Sequence, residues 1–406
     1  MTITLNGTTG VTTPDVSTTT ETISGGTANG VQYLNGSKAV TTGTALTFDG
    51  TNLATTGSVS TPSTFGFKNR IINGGMVINQ RATSVTDAAY VTDRWQYANS
   101  VASKATVSQD TSVYPTGFNA SLKVLSSSAY TVGSGELFVI KQAIEGFNFA
   151  DMGWGSASAK TITISFWVYS SLSGTFGGSL QNGAQNRSYP FTYTISAANT
   201  WEQKTVTIAG DTSGTWVGAT NGAGVYVFFG LGCGSTVSGT AGAWAGAVYY
   251  SATGAVSVVG TNGATFYITG VQLEKGTVAT SFDYRPYGTE LALCQRYFEK
   301  SYDTATAIGT ATTVGLVQAR AMGGGQLGSS YLQLPFAIEK RTTPSITRYS
   351  PNTGASGNVY LTDPAGDGNY TPIVYISTRN FSYGTTSNIL NAGGFIQMQW
   401  TASAEL

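Results

Sequence analysis

Apolar and polar residues alternate with a period of two along most of the chain, the spacing at which successive side chains point to opposite faces of a strand. Ile162, Ile164, Phe166 and Val168 fall on one phase, while Trp167 and Tyr169 share the other with threonine and serine hydroxyls. Residues 204–208 repeat the alternation. Residues 137–140 and 225–229 are continuous apolar runs, which predicts central strands covered on both sides. Clusters of Gly, Asn and Ser separate these pieces with no helical period between them, so residues 100–273 read as an antiparallel sandwich of the jelly-roll kind. Near its end Phe266 and Ile268 lie on one phase and Val271 and Leu273 on the other. A slip at Gly270 predicts a β-bulge that turns the apolar face back to the core.

One helix stands out. Arg285-Pro286-Tyr287-Gly288 bars helix before the proline and supplies a turn, after which Thr289 is placed to cap a helix with Leu291, Cys294 and Phe298 at i, i+3 and i+7. Leu293 and Tyr297 flank this stripe, so one side is apolar and docks. Beyond it, residues 314–319, 331–338, 345–349, 358–361, 373–376 and 395–400 read as six short strands punctuated by prolines, with Pro335 marking an edge or a bulge. Before the sandwich, Asn73-Gly74-Gly75 predicts a tight turn between strands at 70–72 and 76–78. Asp93 and Arg94 read as turn and rim charges beside a buried Trp95.

Residues 1–64 are nearly all small and polar, yet Gly36, Gly43, Gly50 and Gly57 recur every seven residues, preceded by Asn35, Thr42, Asp49 and Thr56. A coiled coil needs two apolar positions per heptad and no regular glycine, so this period is instead a ladder of short strands joined by hairpin turns. Such strands bury no face alone and gain stability by wrapping around copies of themselves. The expected organisation is all-β: an extended, short-strand stalk at 1–64, a jelly-roll-like sandwich at 65–288, and a short linking helix with a β-rich tip at 289–406.

Composition narrows the chemistry. Charged residues make up 10% of the 406 residues, against roughly 25% in an ordinary soluble domain. Hydroxyls and amides therefore wet the surface, and little charge repulsion keeps copies apart. Lys and Arg number 20 and never cluster, which speaks against a nucleic-acid partner. With no histidine in the chain, the commonest general base and metal ligand is absent. The two cysteines, Cys233 and Cys294, are too few for a disulfide framework or a zinc site. No basic-then-apolar leader opens the chain and no apolar run approaches the ~20 residues that span a bilayer. Asp363 to Asn369 reads as a turn and not a calcium loop, because the closing bidentate Glu is missing. No pair of carboxylates sits in a motif that marks a glycosidase. No catalytic residue, metal or cofactor is expected.

Two stretches carry a resemblance. NRIINGGMVINQRA followed by DRWQ, and VQLEKGTVATSFDYRPYGTELALCQRYFEKSYD, resemble the opening and closing phrases of the central domain of bacteriophage tail fibre and receptor-binding proteins of marine and cyanobacterial phages. TANGVQYLNGSKAVTTGTALTFDGTNLATTGSVS resembles their attachment and shaft segments, and GGFIQMQWTASAEL the last strand of their tips. The resemblance implies a carbohydrate-binding-module-like sandwich, a homotrimer and a place on a virion that leaves its host by lysis. It also implies an N-terminus seated on tail or baseplate proteins, and a tip that meets host surface polysaccharide. Aromatic faces with amides and hydroxyls beside them suit a pyranose. On that basis Tyr349, Tyr370, Arg379, Asn380, Phe381 and Tyr383 in the tip, with Trp216 and Trp244 in the sandwich, are the expected ligand contacts. A decoration protein without a receptor and a glycan depolymerase are the competing readings.

Overall fold

The computed structural model describes residues 30–34, 40–48, 53–55, 68–81, 84–320, 331–363, 365–369, 373–384 and 394–406. Two compact units are present, Met1–Thr61 and Pro62–Leu406. In the first, strands Gly30–Leu34, Val40–Phe48 and Leu53–Thr55 form an antiparallel three-stranded sheet. Asn35-Gly36, Asp49-Gly50 and Thr56-Gly57 lie outside the described residues. Thr42-Gly43, expected to turn, instead lies within the middle strand, opposite a slip in register between Gly30 and Gln32.

The second unit is built on an antiparallel sandwich. A six-stranded sheet runs in the order Ser188–Ile195, Gly174–Asn182, Ala223–Cys233, Leu137–Glu145, Gln96–Asn99, Ala89–Tyr90. The facing five-stranded sheet runs Glu202–Ile208, Ile162–Ser170, Thr265–Lys275, Ser121–Ser126, Ala105–Asp110. The continuous apolar runs occupy the centre of the first sheet, as their two-sided burial requires. Phe138, Ile140, Val227 and Phe229 from one sheet meet Ile164, Phe166, Val168 and Phe266 from the other, with Phe166 and Phe229 edge to face at 5.0 Å.

The bulge lies where the phase slips. Pairing with Ile162–Ser170 shifts between Thr269 and Gln272, and Gly270 takes φ +61°. Phe266, Ile268, Val271 and Leu273 all reach the core as a result. The 68–80 stretch reads this bulge directly. Asn69 donates its amide to Val271 O at 3.0 Å and accepts Leu273 N at 3.0 Å, while Val271 N donates to Gly74 O at 3.0 Å. The two phrases that carried the family resemblance therefore stitch to one another. Neither 70–72 nor 76–78 is a strand, because their backbone groups are spent on this stitch and on the Asn73 side chain. Asn73, at φ 57°, accepts Ile78 N and donates to Ile78 O and Asp93 O. A Cβ on Gly74 would sit 2.1 Å from Val271 O. Gly74→Ala is accordingly expected to destabilise by about 1–3 kcal/mol through overpacking, read as a lower urea midpoint at unchanged slope.

The terminal block gathers around its last strand. Phe395–Ser403 pairs with Phe298–Lys300, Val317–Arg320, Ser345–Tyr349 and Val359–Thr362. One phase is buried throughout, with Ile396, Met398, Trp400 and Ala402 packing on Phe336, Leu361 and Phe381, while Phe395, Gln397 and Ser403 on the other are half-buried. Tyr331–Pro335 is the edge of a separate three-stranded sheet and ends at its proline. The helix spans Tyr287–Gln295 with Pro286, not Thr289, at its N-cap. Phe298 has left the helix for a strand, so the expected stripe stops at Cys294.

Asp93 and Arg94 are not rim charges: both are buried, as is Trp95, whose indole donates to Asn73 O. Asp93 accepts the Gln80 backbone and side-chain amides at 2.7 and 2.9 Å. Arg94 pairs with Glu405, donates to Ala143 O at 2.6 Å and stacks 3.5 Å over Tyr297. Arg81 joins Glu405 from the other side. Glu145, buried in the sandwich, receives Arg296 at 2.6 and 2.9 Å and the Tyr297 hydroxyl at 2.6 Å. Paired charge thus locks the sandwich to the terminal block.

Candidate functional site: an aromatic tract on the five-stranded sheet

Strand alternation leaves Trp167 and Tyr169 on the outer face of the five-stranded sheet. There Tyr169, Trp201 and Tyr267 form a ring triangle, with centroids 5.6 Å from Tyr169 to Trp201, 5.3 Å from Tyr169 to Tyr267 and 6.3 Å between the last two. Lys123 lies 5.6 Å from the Tyr267 ring. The bulge extends the tract. Gly270 has no side chain to hold its neighbours off, and a Cβ there would meet Phe118 at 2.6 Å and Trp167 at 3.0 Å. Both rings close over the strand at that point.

From Phe118 the tract enters a cleft of about 200 Å³. Phe118, Phe282 and Tyr284 form a second triangle, with centroid separations of 4.8 to 5.5 Å. The Tyr284 hydroxyl is anchored on Gly117 O at 2.7 Å, yet 60% of the residue is exposed, so the ring is a fixed platform open to solvent. Burial of the phenol pushes its pKa up, which keeps it neutral. Tyr287 and Val77 are exposed beside it, and Asn119 adds a polar group to the wall.

Charge under the cleft is committed elsewhere. Arg285 bonds Glu290 at 3.3 Å and approaches Asp283 at 3.8 Å, Asp283 accepts Asn69 N at 3.3 Å, and Glu290 also accepts Asn73 N. This buried set fixes the Tyr284–Tyr287 turn to the Asn69–Asn73 stitch.

The expected contacts fall elsewhere. Phe381 and Tyr383 belong to strand Asn380–Gly384 and are buried in the terminal core, so neither ring faces solvent. Two residues of one phase in a strand, not a loop, explain the difference. Arg379 is exposed and pairs with Glu339 at 3.1 Å, and Asn380 is held by Ser377. Tyr349 is half-buried in a strand, 6.2 Å from Tyr302. Tyr370 lies outside the described residues. Asp367 accepts Ser350 and Asn352.

Trp216 and Trp244 are brought together, at 5.5 Å, but with Trp154 as a third partner 4.8 and 5.1 Å away, each pair edge to face. Their indoles donate to Asp211 and Ala209, and Arg187 closes on Asp211 at 2.7 Å. That cluster packs against one end of the core. The residues missed were Trp201, Phe118, Phe282, Tyr284 and Tyr287. The available signal was three aromatics, Phe282, Tyr284 and Tyr287, crowded into residues 282–287.

Neither cysteine is poised for chemistry. Burial pushes the Cys233 thiol up to about 12 and the fully buried Cys294 well above its ordinary value. Native protein is expected to resist thiol labelling at pH 8, with both thiols reacting only after unfolding.

Fold and site together define a class: an antiparallel β-sandwich presenting fixed aromatic faces on one open sheet. No protein family matches the chain, and no curated protein matches its sequence. Among solved structures it is similar to the enzymatically active domain of bacteriophage CBA120 tailspike protein 4, at 12% identity and a TM-score of 0.30, covering 52% of this chain and 22% of that one. It is also similar to a putative sugar binding protein from Bacteroides thetaiotaomicron, at 13% identity and a TM-score of 0.30, covering 51% of this chain and 100% of that one. A third is the family 11 carbohydrate-binding module from Clostridium thermocellum in complex with a mixed-linked tetrasaccharide, at 10% identity and a TM-score of 0.25, covering 47% of this chain and 91% of that one.

Proposed function

We propose that the chain is a glycan-binding adhesin, a virion tail fibre protein that recognises host surface polysaccharide. The observation that carries the binding reading is the aromatic tract from Trp201 to Tyr284, ending in a solvent-facing ring pinned by its own hydroxyl. A pyranose buries its apolar face on such a ring while its hydroxyls meet amides at the edge, and a ring already fixed loses little entropy on binding. The tail fibre identity and the homotrimer rest on the sequence phrases and on the narrow, weakly apolar N-terminal sheet. Three weak sites on one fibre raise avidity without new contacts.

Binding without cleavage is favoured because Asp283 and Glu290, the carboxylates of the cleft, are already paired with Arg285. The test is electrophoresis of the full chain through gels cast with host polysaccharide, alongside sizing of polymer incubated with the protein. The reading expects retarded protein and polymer of unchanged length. Shortened polymer would establish a depolymerase, and unretarded protein would remove the glycan reading.

A further inference from the structure

A second cavity, of about 210 Å³, opens between the sandwich and the terminal block. Its walls include Asn79, Arg81, Gln109, Lys300 and the 304–307 loop. Two cations face it, and neither is fully satisfied. Lys300 is 7% exposed, and its ammonium donates only to Thr304 O at 3.0 Å and Thr306 O at 2.6 Å. Among the described residues no carboxylate lies within salt-bridge distance of it. Asp93 and Asp303 are the acidic groups whose field it feels. Burial pushes its pKa down to about 8, so the fold does not fully compensate the charge it encloses. Arg81 is held by Glu405 and stacks over Phe298 at 3.8 Å, but its buried Nε has no partner. A lysine kept only to clip the 304–307 loop needs no cavity beside it.

An ammonium with a proton to spare, in a cavity lined by amide and threonine residues, matches an anionic, hydroxylated ligand. It bears a carboxylate on a polyol ring. We propose that this pocket binds the carboxylate of an acidic sugar residue, so that the recognised polysaccharide contains uronic or similar sugar acids. The inference rests on the glycan reading for the polymer, whereas the ionic contact stands on Lys300 alone. The pocket is too small for a long oligosaccharide and fits one ring, so it acts as a selectivity subsite.

The test titrates the full chain with glucuronate, glucose and inorganic phosphate by calorimetry, using wild type, Lys300→Gln and Tyr284→Ala. Glucuronate is expected to saturate wild type and Tyr284→Ala alike, and glucose to show no saturation. Lys300→Gln is expected to raise the glucuronate Kd about tenfold or more, as loss of a charged hydrogen bond requires. Equal binding of glucose and glucuronate, or none of either, overturns the proposal, and that wild-type comparison decides even if Lys300→Gln fails to fold. Phosphate binding without glucuronate binding also overturns it, leaving a simple anion site. Because Tyr284 lies outside this pocket, retention of glucuronate by Tyr284→Ala separates failure here from failure of the aromatic site.

Discussion

Replacing Glu405 with alanine is expected to cost about 3–5 kcal/mol of unfolding free energy, the range for removing one partner of a buried ion pair. Glu405 is the shared carboxylate of Arg81 and Arg94, and the Arg94 side chain is only 1% exposed. Burial alone already pulls both guanidinium groups below their ordinary pKa, with desolvation the largest cause in each case. Without Glu405, two cations remain enclosed among Tyr90, Tyr297 and Phe298, and a guanidinium does not shed its proton to escape. Arg94 still donates to Ala143 O, which satisfies one N–H but neutralises nothing. Urea denaturation reads the loss. Glu339→Ala serves as the control, because its pair with Arg379 is open to solvent, and such pairs are commonly without measurable effect. Equal midpoints for the two variants would show that the Glu405 network contributes nothing to the junction.

The second large effect is on binding. Tyr284→Ala removes the most exposed ring of the cleft while leaving Phe118 and Phe282 in contact with each other. A rigid aromatic anchor in a binding site is worth about 2 kcal/mol or more on truncation, which corresponds to roughly thirtyfold in Kd. Because most of the ring faces water, folding stability should fall by less than about 1 kcal/mol. Affinity electrophoresis and a urea curve on one preparation separate the two quantities. A variant that binds as wild type places the glycan elsewhere, and the Trp154–Trp216–Trp244 cluster becomes the next aromatic surface to mutate.

How much was legible depended on the range of the forces involved. Alternation at 162–169 and the apolar runs at 137–140 and 225–229 report local burial, and each became a strand of the expected kind. The bulge was readable because a phase slip at a glycine has one backbone solution. What failed was long-range. Asp93 and Arg94 look like surface charges until Gln80, Tyr297 and Glu405 arrive from distant parts of the chain. The strands expected at 70–72 and 76–78 gave way because Asn69 and Asn73 claim the local backbone groups for Val271, Leu273 and Ile78.

The site was partly hidden for the same reason. Trp167 and Tyr169 on a polar phase signalled an aromatic outer face, but Phe118 and Phe282 become neighbours only when the 275–287 turn folds back across the bulge. At Asn380–Gly384 the polar and aromatic mixture that suits a binding loop also suits a strand with one buried face. Phe381 and Tyr383 share that face.

The most direct measurement is binding of the fluorescently labelled full chain, wild type and Tyr284→Ala, to a panel of bacterial strains with and without stripped surface polysaccharide. A glycan-binding adhesin working through the aromatic tract should label some strains and not others. That labelling should vanish on stripping and fall sharply in the variant. Folded protein that labels no strain, or labels stripped cells equally well, would contradict the central claim.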